Sequence, residues 1–470
     1  MSESKKKVLL LNPPGKGVYL RDYYCSHASK AHYYWGPYDL IVLSGILKDH
    51  YALFALDAMD KRLSPKETLE RIRDIKPDAI IFLTGAVSFI EDFELMQGVS
   101  EAFSGKIEII GTGDCLLSEA PKFFDAYPFL DAAIMNFISD DIVYYLEGER
   151  RPFHNVSFRR KDAILELGDR ILPEGEFSLP IPHYDIFPFK NYRIPHGLRL
   201  PYAGILTDYG CPFHCDYCIG GELGFHLRNM DNLFEELREL KRRGVRELWI
   251  KDLTFGVHKK RSFALLQRMR KENLNFTWAC LSRVNVLDAE LLEEMKAAGC
   301  HTIQMGVESA SEEILQNYTK GITLEQARKI ASLCKKTGVR ILAHYILGLP
   351  GDTVESVRKT IQLAIELNTE FASFNIAMPR MGTVFRRNAI EKGLISDDLA
   401  TLDNSISQPV YETAELSREK LWELRNEAIR RYHLRPSFIL RRLFGVRTWY
   451  EFTTLFREGF SLIATTIKKE

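Results

Sequence analysis

Apolar residues along this chain come in two rhythms that alternate for most of its length. Runs of five or six, such as KVLLLN at 7–12, read as buried strands. Between them apolar positions recur three and four apart, the spacing of a helix that buries one face. Over residues 1–150 the pattern predicts strands at 7–12, 52–57, 78–84, 107–111 and 132–136. Helices are predicted at 39–50, 65–75, 91–103 and 119–126. Strands that alternate with helices imply a parallel, doubly wound α/β sheet. Ligands of such sheets sit beyond the carboxyl ends of the strands. The candidate contact loops are therefore Asn12-Pro13-Pro14, Thr84-Gly85 to Ser88, Gly111-Thr112-Gly113-Asp114, and Asn136 onward.

Residues 151–200 break the rhythm with a proline-rich stretch (Leu179-Pro-Ile-Pro-His-Tyr-Asp185) and read as an ordered linker. The alternation then resumes. Strands are expected at 203–207, 247–251, 276–281, 302–307, 340–347 and 371–377, with helices at 231–243, 258–271, 288–298, 323–337 and 354–367. The domain expectation is 1–150, a linker at 151–200, a second α/β domain at 201–395, and a helical region at 396–470.

Three cysteines carry the chemistry. Gly210-Cys-Pro-Phe-His-Cys-Asp-Tyr-Cys218 follows the first strand of the second domain with the spacing C-x₃-C-x₂-C. Three thiolates on one short loop can grip three irons of a 4Fe–4S cube and leave the fourth open to a ligand. Zinc is the alternative, but a closed zinc site takes four ligands, and no Cys or His pair follows Cys218 at short spacing. Cys25, Cys115, Cys280, Cys300 and Cys334 stand singly among apolar neighbours and read as small buried hydrophobes. Eight cysteines in 470 residues do not suggest a disulfide framework.

On this loop the chain resembles radical S-adenosylmethionine enzymes, which place an aromatic residue, here Tyr217, near the adenine. The resemblance extends along the strand ends. Met305-Gly306-Val-Glu308-Ser309 is similar to the family's Gly-x-Glu-Ser segment, and Met378-Pro379-Arg-Met-Gly-Thr383 to its Pro-x-x-Gly-Thr segment. Six strand–helix units are the number that builds the family's partial (β/α)6 barrel. The resemblance implies contacts to S-adenosylmethionine from Tyr217, Lys251, Arg283, Gly306, Glu308, Ser309, Gly348 and Pro379. Glu308 suits the methionine ammonium or the ribose, and the Arg283 fork suits the methionine carboxylate.

The first domain resembles the Rossmann-like cobalamin-binding domain that precedes many of these barrels. Asn12-Pro-Pro14, Lys76-Pro77-Asp78 and Gly111-x-Gly113 carry that likeness. It implies cobalamin contacts from Asn12, Pro13, Thr84, Gly85, Ser88, Gly111, Thr112, Gly113 and Asn136. The Asp-x-His-x-x-Gly motif that gives a histidine to cobalt in other cobalamin proteins is absent. The family expectation is a class B methyltransferase acting on an sp³ carbon of an apolar small molecule or lipid. Its rivals are a ring-forming or carbon-skeleton enzyme of tetrapyrrole or hopanoid type, and a non-catalytic metal protein. An electron donor such as flavodoxin or ferredoxin is implied.

Bulk properties narrow the partners. Formal net charge is zero, which gives no overall field for nucleic acid. The only apolar run near the start, 8–11, is too short for a signal peptide, and no run of about 18 apolar residues occurs. A reduced, cytoplasmic protein is expected. The C-terminal region qualifies this, because from Arg425 onward ten cations face four carboxylates, interleaved with Trp449, Tyr450, Phe452, Phe456 and Phe460. That composition suits either an interfacial helix on an anionic membrane or a cap that packs its apolar face on the barrel.

Overall fold

The computed structural model describes residues 5–29, 33–149, 151–160, 164–171, 174–194, 196–399 and 408–445. They form two compact units, one built from described residues within 5–29, 34–192 and 398–399, the other from residue 33 and those within 193–397 and 408–445. Both are the α/β sheets that the alternation predicts.

The first unit runs β1 (Lys7–Asn12), β2 (Tyr19–Leu20), β3 (His27–Ala28), α1 (Tyr38–Leu47), β4 (Ala52–Asp57), α2 (Pro65–Ile75), β5 (Ala79–Leu83) and α3 (Phe89–Ala102). It continues with β6 (Glu108–Thr112), α4 (Leu116–Ala126), β7 (Ala132–Ile134), α5 (Asp141–Glu147), β8 (Val156–Arg159) and β9 (Leu165–Glu166). The sheet order is β4-β1-β5-β6-β7-β8-β9. The first five strands are parallel, and the last two run antiparallel. Local chemistry explains the boundaries. Ser64 and Glu67 form a capping box around Pro65, and Lys76 ends α2 in the left-handed conformation. Helix α4 starts at Leu116 rather than at the expected residue 119, because Glu119 marks a kink just ahead of Pro121. Residues 151–192 were expected as a linker; they cluster with this unit and supply β8 and β9 to its edge.

The second unit contains β10 (Tyr202–Ile205), β11 (Asp208–Gly210), β12 (Phe225–Leu227), α6 (Met230–Arg242), β13 (Glu247–Ile250), α7 (Lys259–Lys271), β14 (Thr277–Ser282), α8 (Ala289–Ala297) and β15 (Cys300–Glu308). Then follow α9 (Glu312–Asn317), α10 (Leu324–Thr337), β16 (Arg340–Leu347), α11 (Val354–Leu367), β17 (Phe371–Ile376), α12 (Val384–Glu391), α13 (Arg418–His433) and α14 (Pro436–Phe444). Six parallel strands lie in the order β10-β13-β14-β15-β16-β17. Each is joined to the next by at least one helix.

The two faces of this sheet differ. One carries Ile303, Met305, Ile341, Ala343, Tyr345 and Phe374, all buried. Phe374 stacks on Tyr345 at 5.2 Å and meets Tyr432 of α13 at 6.0 Å, so this face lies under helices. On the other face the register aligns Leu281, Gln304, Leu342 and Phe371, then Gly306, His344 and Ser373, then Ile346 and Asn375. These residues are only half-buried. Past the sheet, in the region expected to be helical, Ser417 caps α13.

Candidate active site

The cysteine loop leaves the end of β10 through the short β11–β12 hairpin. Gly210 sits at φ +78, where a Cβ would come within 1.8 Å of the Gly224 carbonyl, so glycine alone closes this turn. Cys211 and Cys215 are buried and Cys218 is partly exposed. Polar hydrogens surround the sulfurs. The Gly220 N–H donates to Cys218 Sγ at 3.3 Å, Arg283 Nη1 to Cys215 Sγ at 3.1 Å, and Thr254 Oγ1 lies 3.4 Å from Cys211 Sγ. Polar contacts of this kind orient sulfurs that ligate a metal. Gly220 also packs against two of the three cysteines; a Cβ there would lie 3.3 Å from Cys218 Sγ and 3.4 Å from Cys211 Cβ.

Among the described residues, no three His, Cys, Asp or Glu side chains converge to hold a single metal ion. An iron–sulfur cube makes a different demand, since each cysteine takes its own corner iron and the sulfurs stay apart. One short loop, three cysteines and N–H donors at two of the sulfurs fit that demand.

Arg283 links the loop to a buried ion pair. Its guanidinium lies 3.9 Å from the Phe213 ring centroid, and Nη2 donates to the carbonyl of Lys320. Lys320 Nζ in turn pairs with Glu308 Oε1 at 2.7 Å, with both side chains buried. Glu308 holds a positive φ of +65 at a register shift between β15 and β16, a conformation seldom adopted by a side-chain-bearing residue. The carboxylate folds back over Gly306, where a Cβ would lie 1.8 Å from Oε1. Lys320 also stands 5.9 Å from the centre of the Tyr217 ring. The Tyr217 hydroxyl is buried without a hydrogen-bond partner among the described residues, and burial, then the Glu308 charge, raises its pKa well above the usual value.

Cys215, Arg283, Lys320, Glu308, Gly306 and Tyr217 thus form one connected group. Lys320 was not among the expected site residues. It stands twelve residues beyond Glu308 in Lys320-Gly-Ile-Thr323, a cation just ahead of the α10 cap. Other expected residues lie elsewhere. Ser309 accepts from the Ser311 N–H at the start of α9, and the Pro379 carbonyl accepts from Arg386. Gly348 leaves room for Leu421, and its N–H donates to Asp352. Lys251 is buried beside Asp252, whose carboxylate accepts from the Thr207 and Asp208 N–H groups. Burial raises both Asp252 and Asp208, and the Asp252 charge raises Asp208 further.

The strand ends of the first unit are arranged differently. Arg21, buried in the segment between β2 and β3, donates to Asn12 Oδ1, to the Pro13 and Pro14 carbonyls, to Ser88 Oγ and to Asp92. Thr84 and Ser88 donate to the same Asp92. Ser26 donates to Asp114, which also accepts from the Ala86 N–H. A Cβ at Gly85 would meet Ser26 at 2.5 Å, one at Gly111 would meet Leu116 at 2.6 Å, and one at Gly113 would meet the Thr84 carbonyl at 1.9 Å. Thr112 is a buried end residue of β6. Among the described residues, the loops expected to meet cobalamin hydrogen-bond to residues 21–26 and to one another. Asn136 is the exception, because its buried Nδ2 has no partner among the described residues.

Comparison with known proteins places this geometry. Residues 205–364 match the family model described as the radical SAM superfamily. An uncharacterized methyltransferase of Pyrococcus horikoshii is 27% identical over 422 residues, covering 87% of this chain and 90% of that protein. The anaerobic magnesium-protoporphyrin IX monomethyl ester cyclase of Rubrivivax gelatinosus is 23% identical, over 73% of this chain and 64% of the cyclase. Two solved structures share the fold across both units. TsrM of Kitasatospora setae, a radical S-adenosylmethionine methyltransferase with cobalamin and a 4Fe–4S cluster bound, aligns with a TM-score of 0.65 at 17% identity, covering 83% of this chain and 75% of its own. OxsB, a cobalamin-dependent S-adenosylmethionine radical enzyme, aligns at 0.69 and 14% identity, over 98% of this chain and 72% of its own.

Proposed function

We propose that this chain, which carries a radical SAM domain over residues 205–364, binds a 4Fe–4S cluster on Cys211, Cys215 and Cys218 and methylates an unactivated carbon of an apolar or amphipathic small molecule. The observation that carries the reading is the joining of the three-cysteine loop, through Arg283, to the buried Glu308–Lys320 pair. A 4Fe–4S cluster held by these cysteines would supply the single electron for reductive cleavage of S-adenosylmethionine, the source of a radical able to take hydrogen from carbon.

The protein's own part is binding and orientation. The methionine end of S-adenosylmethionine is a zwitterion. Glu308 offers a carboxylate to its ammonium, and Lys320, with Arg283 beside it, offers cations to its carboxylate. Gly306 leaves the space in which Glu308 can lie across the strand end. The Tyr217 ring supplies an apolar wall beside that pair. Substrate is assigned to the half-buried face of the sheet. There Leu281 and Leu342 give apolar surface, while Ser373, Asn375 and the hydrogen-bonded His344 and Gln304 (2.9 Å) give polar contacts. A ligand with a greasy body and a few hydrogen-bonding groups suits both.

Cobalamin is proposed as second cofactor on the fold likeness to TsrM and OxsB, with Asn136, whose buried Nδ2 has no partner among the described residues, as one strand-end group that could reach it. A flavodoxin or ferredoxin would supply the electron, in a reduced, cytoplasmic setting. Ring closure is the second reading, favoured by the relative that is named a cyclase. Product mass separates the two, because methylation adds one carbon and ring closure none.

The test is anaerobic purification, cluster reconstitution, and assay of 5′-deoxyadenosine release with dithionite, with corrinoid read from the visible spectrum of the same sample. Release with bound corrinoid supports the methyltransferase. Release without corrinoid removes cobalamin while keeping the radical chemistry. Zinc in place of iron, with no release, would overturn the proposal.

A further inference from the structure

Amphipathic helices usually bury their apolar side and leave their cations in water. Helix α14 does the reverse. Arg441 donates to the Asn368 carbonyl at 3.0 Å and to the Thr369 carbonyl at 2.8 Å, and Arg435 donates to the Ile365 carbonyl at 3.3 Å. These carbonyls belong to the end of α11 and the turn after it, where backbone acceptors are left over and a cation is favoured. The Arg442 guanidinium lies 4.3 Å from the Phe371 ring centroid, and Phe438 packs on Tyr432 at 5.4 Å. The helix is thus held to its own unit mainly by arginines and one phenylalanine.

Its large apolar side chains face outward. Ile439, Leu440 and Leu443 are 42%, 52% and 51% exposed, and Phe444 is 84% exposed. The pairs 439/443 and 440/444 are each four residues apart, which puts all four on one stripe. Leu434, just before the helix, is 49% exposed as well. Between Glu427 and Glu451 the sequence has no acidic residue but six arginines: 430, 431, 435, 441, 442 and 447. Apolar residues turned to solvent in a wholly cationic stretch match the two terms of binding at an anionic lipid surface, apolar insertion and charge attraction.

Charge also speaks against the other occupants. A second copy docked on the same stripe would bring two arginine-rich patches face to face, as a symmetric contact requires. A spanning mode is unsuited, since no described helix is long and apolar enough to cross a membrane. We propose that α14 docks this protein on the surface of an anionic lipid bilayer, with Ile439, Leu440, Leu443 and Phe444 inserted among the headgroups. The inference stands apart from the cluster chemistry and goes beyond it, bringing the barrel to where amphipathic substrates collect.

Vesicle sedimentation of the full chain tests this, using phosphatidylcholine vesicles with and without about one third phosphatidylglycerol. The protein pellets with anionic vesicles and stays in the supernatant with neutral ones. Leu440→Asp/Leu443→Asp abolishes pelleting while leaving the circular dichroism spectrum and iron content unchanged. Arg430→Gln, at an exposed position, weakens binding about fivefold. Wild type that stays in the supernatant, or pellets equally well as the double variant, overturns the proposal. So does a dimer in solution that the double variant dissociates, which would give the stripe to a second copy.

Discussion

At the carboxyl ends of the first unit's strands, polar side chains satisfy one another. Arg21 alone engages Asn12, Pro13, Pro14, Ser88 and Asp92, and Ser26 covers Gly85 while donating to Asp114. At the carboxyl ends of the second unit's strands, the same kind of parallel sheet gathers sulfur and charge of a different character. Three cysteines outside any disulfide sit on one loop, and a buried ion pair is held by a residue at positive φ. A network whose polar groups largely bond to one another mainly stabilises its unit. Cysteines gathered on one loop, and backbone held in an unfavourable region, are features found where ligands bind. Parallel sheets thus provide a position for chemistry, and the loop residues decide whether it is used.

The sharpest way to break this comparison is to remove one sulfur. Cys215→Ala should lose the brown iron–sulfur absorbance and all 5′-deoxyadenosine release, while the apoprotein's thermal midpoint shifts little. Iron analysis and a melting curve check both. If the variant unfolds, the loop is structural and the contrast between the two strand ends disappears.

In the first unit the matching change is Arg21→Met. It leaves Asp92 buried with its charge partner gone, a loss of about 3–5 kcal/mol. Urea unfolding should show that loss with cluster content unchanged. A loss below about 1 kcal/mol would mean that this network is not closed and that its loops are available to a ligand.

Glu308→Gln should act on ligand more than on fold. Replacing a charge-assisted contact with a neutral one is expected to weaken S-adenosylmethionine binding about 10- to 100-fold, measured by calorimetry on the reconstituted protein. Gly306→Ala should mimic it, because the added Cβ displaces the Glu308 carboxylate. Unchanged affinity in both would remove Glu308 from the ligand site.

Which parts of this were legible in the sequence follows from the physics of each signal. Strands such as β1 and β16 are buried or regularly alternating over six to eight residues, and their limits match those expected from residue pattern alone. Strands β8 and β9 are four and two residues long and half-buried, so they carry too little periodicity to read. The cysteine loop was visible because its spacing is local. The Glu308–Lys320 pair joins residues across an intervening helix, and nothing in the sequence around Lys320 names its partner. The occupation of the first unit's loops by Arg21 and Ser26 was hidden for the same reason, since Ser26 reaches across 88 positions to Asp114. The C-terminal composition showed that apolar and cationic residues mix, but only the contacts of α14 reveal which of them face the protein.

The smallest effect probes a carboxylate of the first unit away from its ligand loops. Asp131, just before β7, accepts from the Ile109 N–H at 2.7 Å, yet burial outweighs that bond and pushes its pKa up to about 6. A carboxyl group with a folded pKa above its unfolded one holds its proton more tightly in the folded state. Its contribution to stability is full below pH 4 and is lost as pH rises through about 6. Urea unfolding at pH 4.5 and 7 should therefore show wild type losing about 1–2 kcal/mol more than Asp131→Asn over that interval, because asparagine keeps an acceptor for Ile109 without the titrating charge. The difference between the two proteins isolates this one group from the rest. Iron content and 5′-deoxyadenosine release should be equal in both at every pH. A change in either would tie the two units' chemistry together, against the contrast drawn between their strand ends.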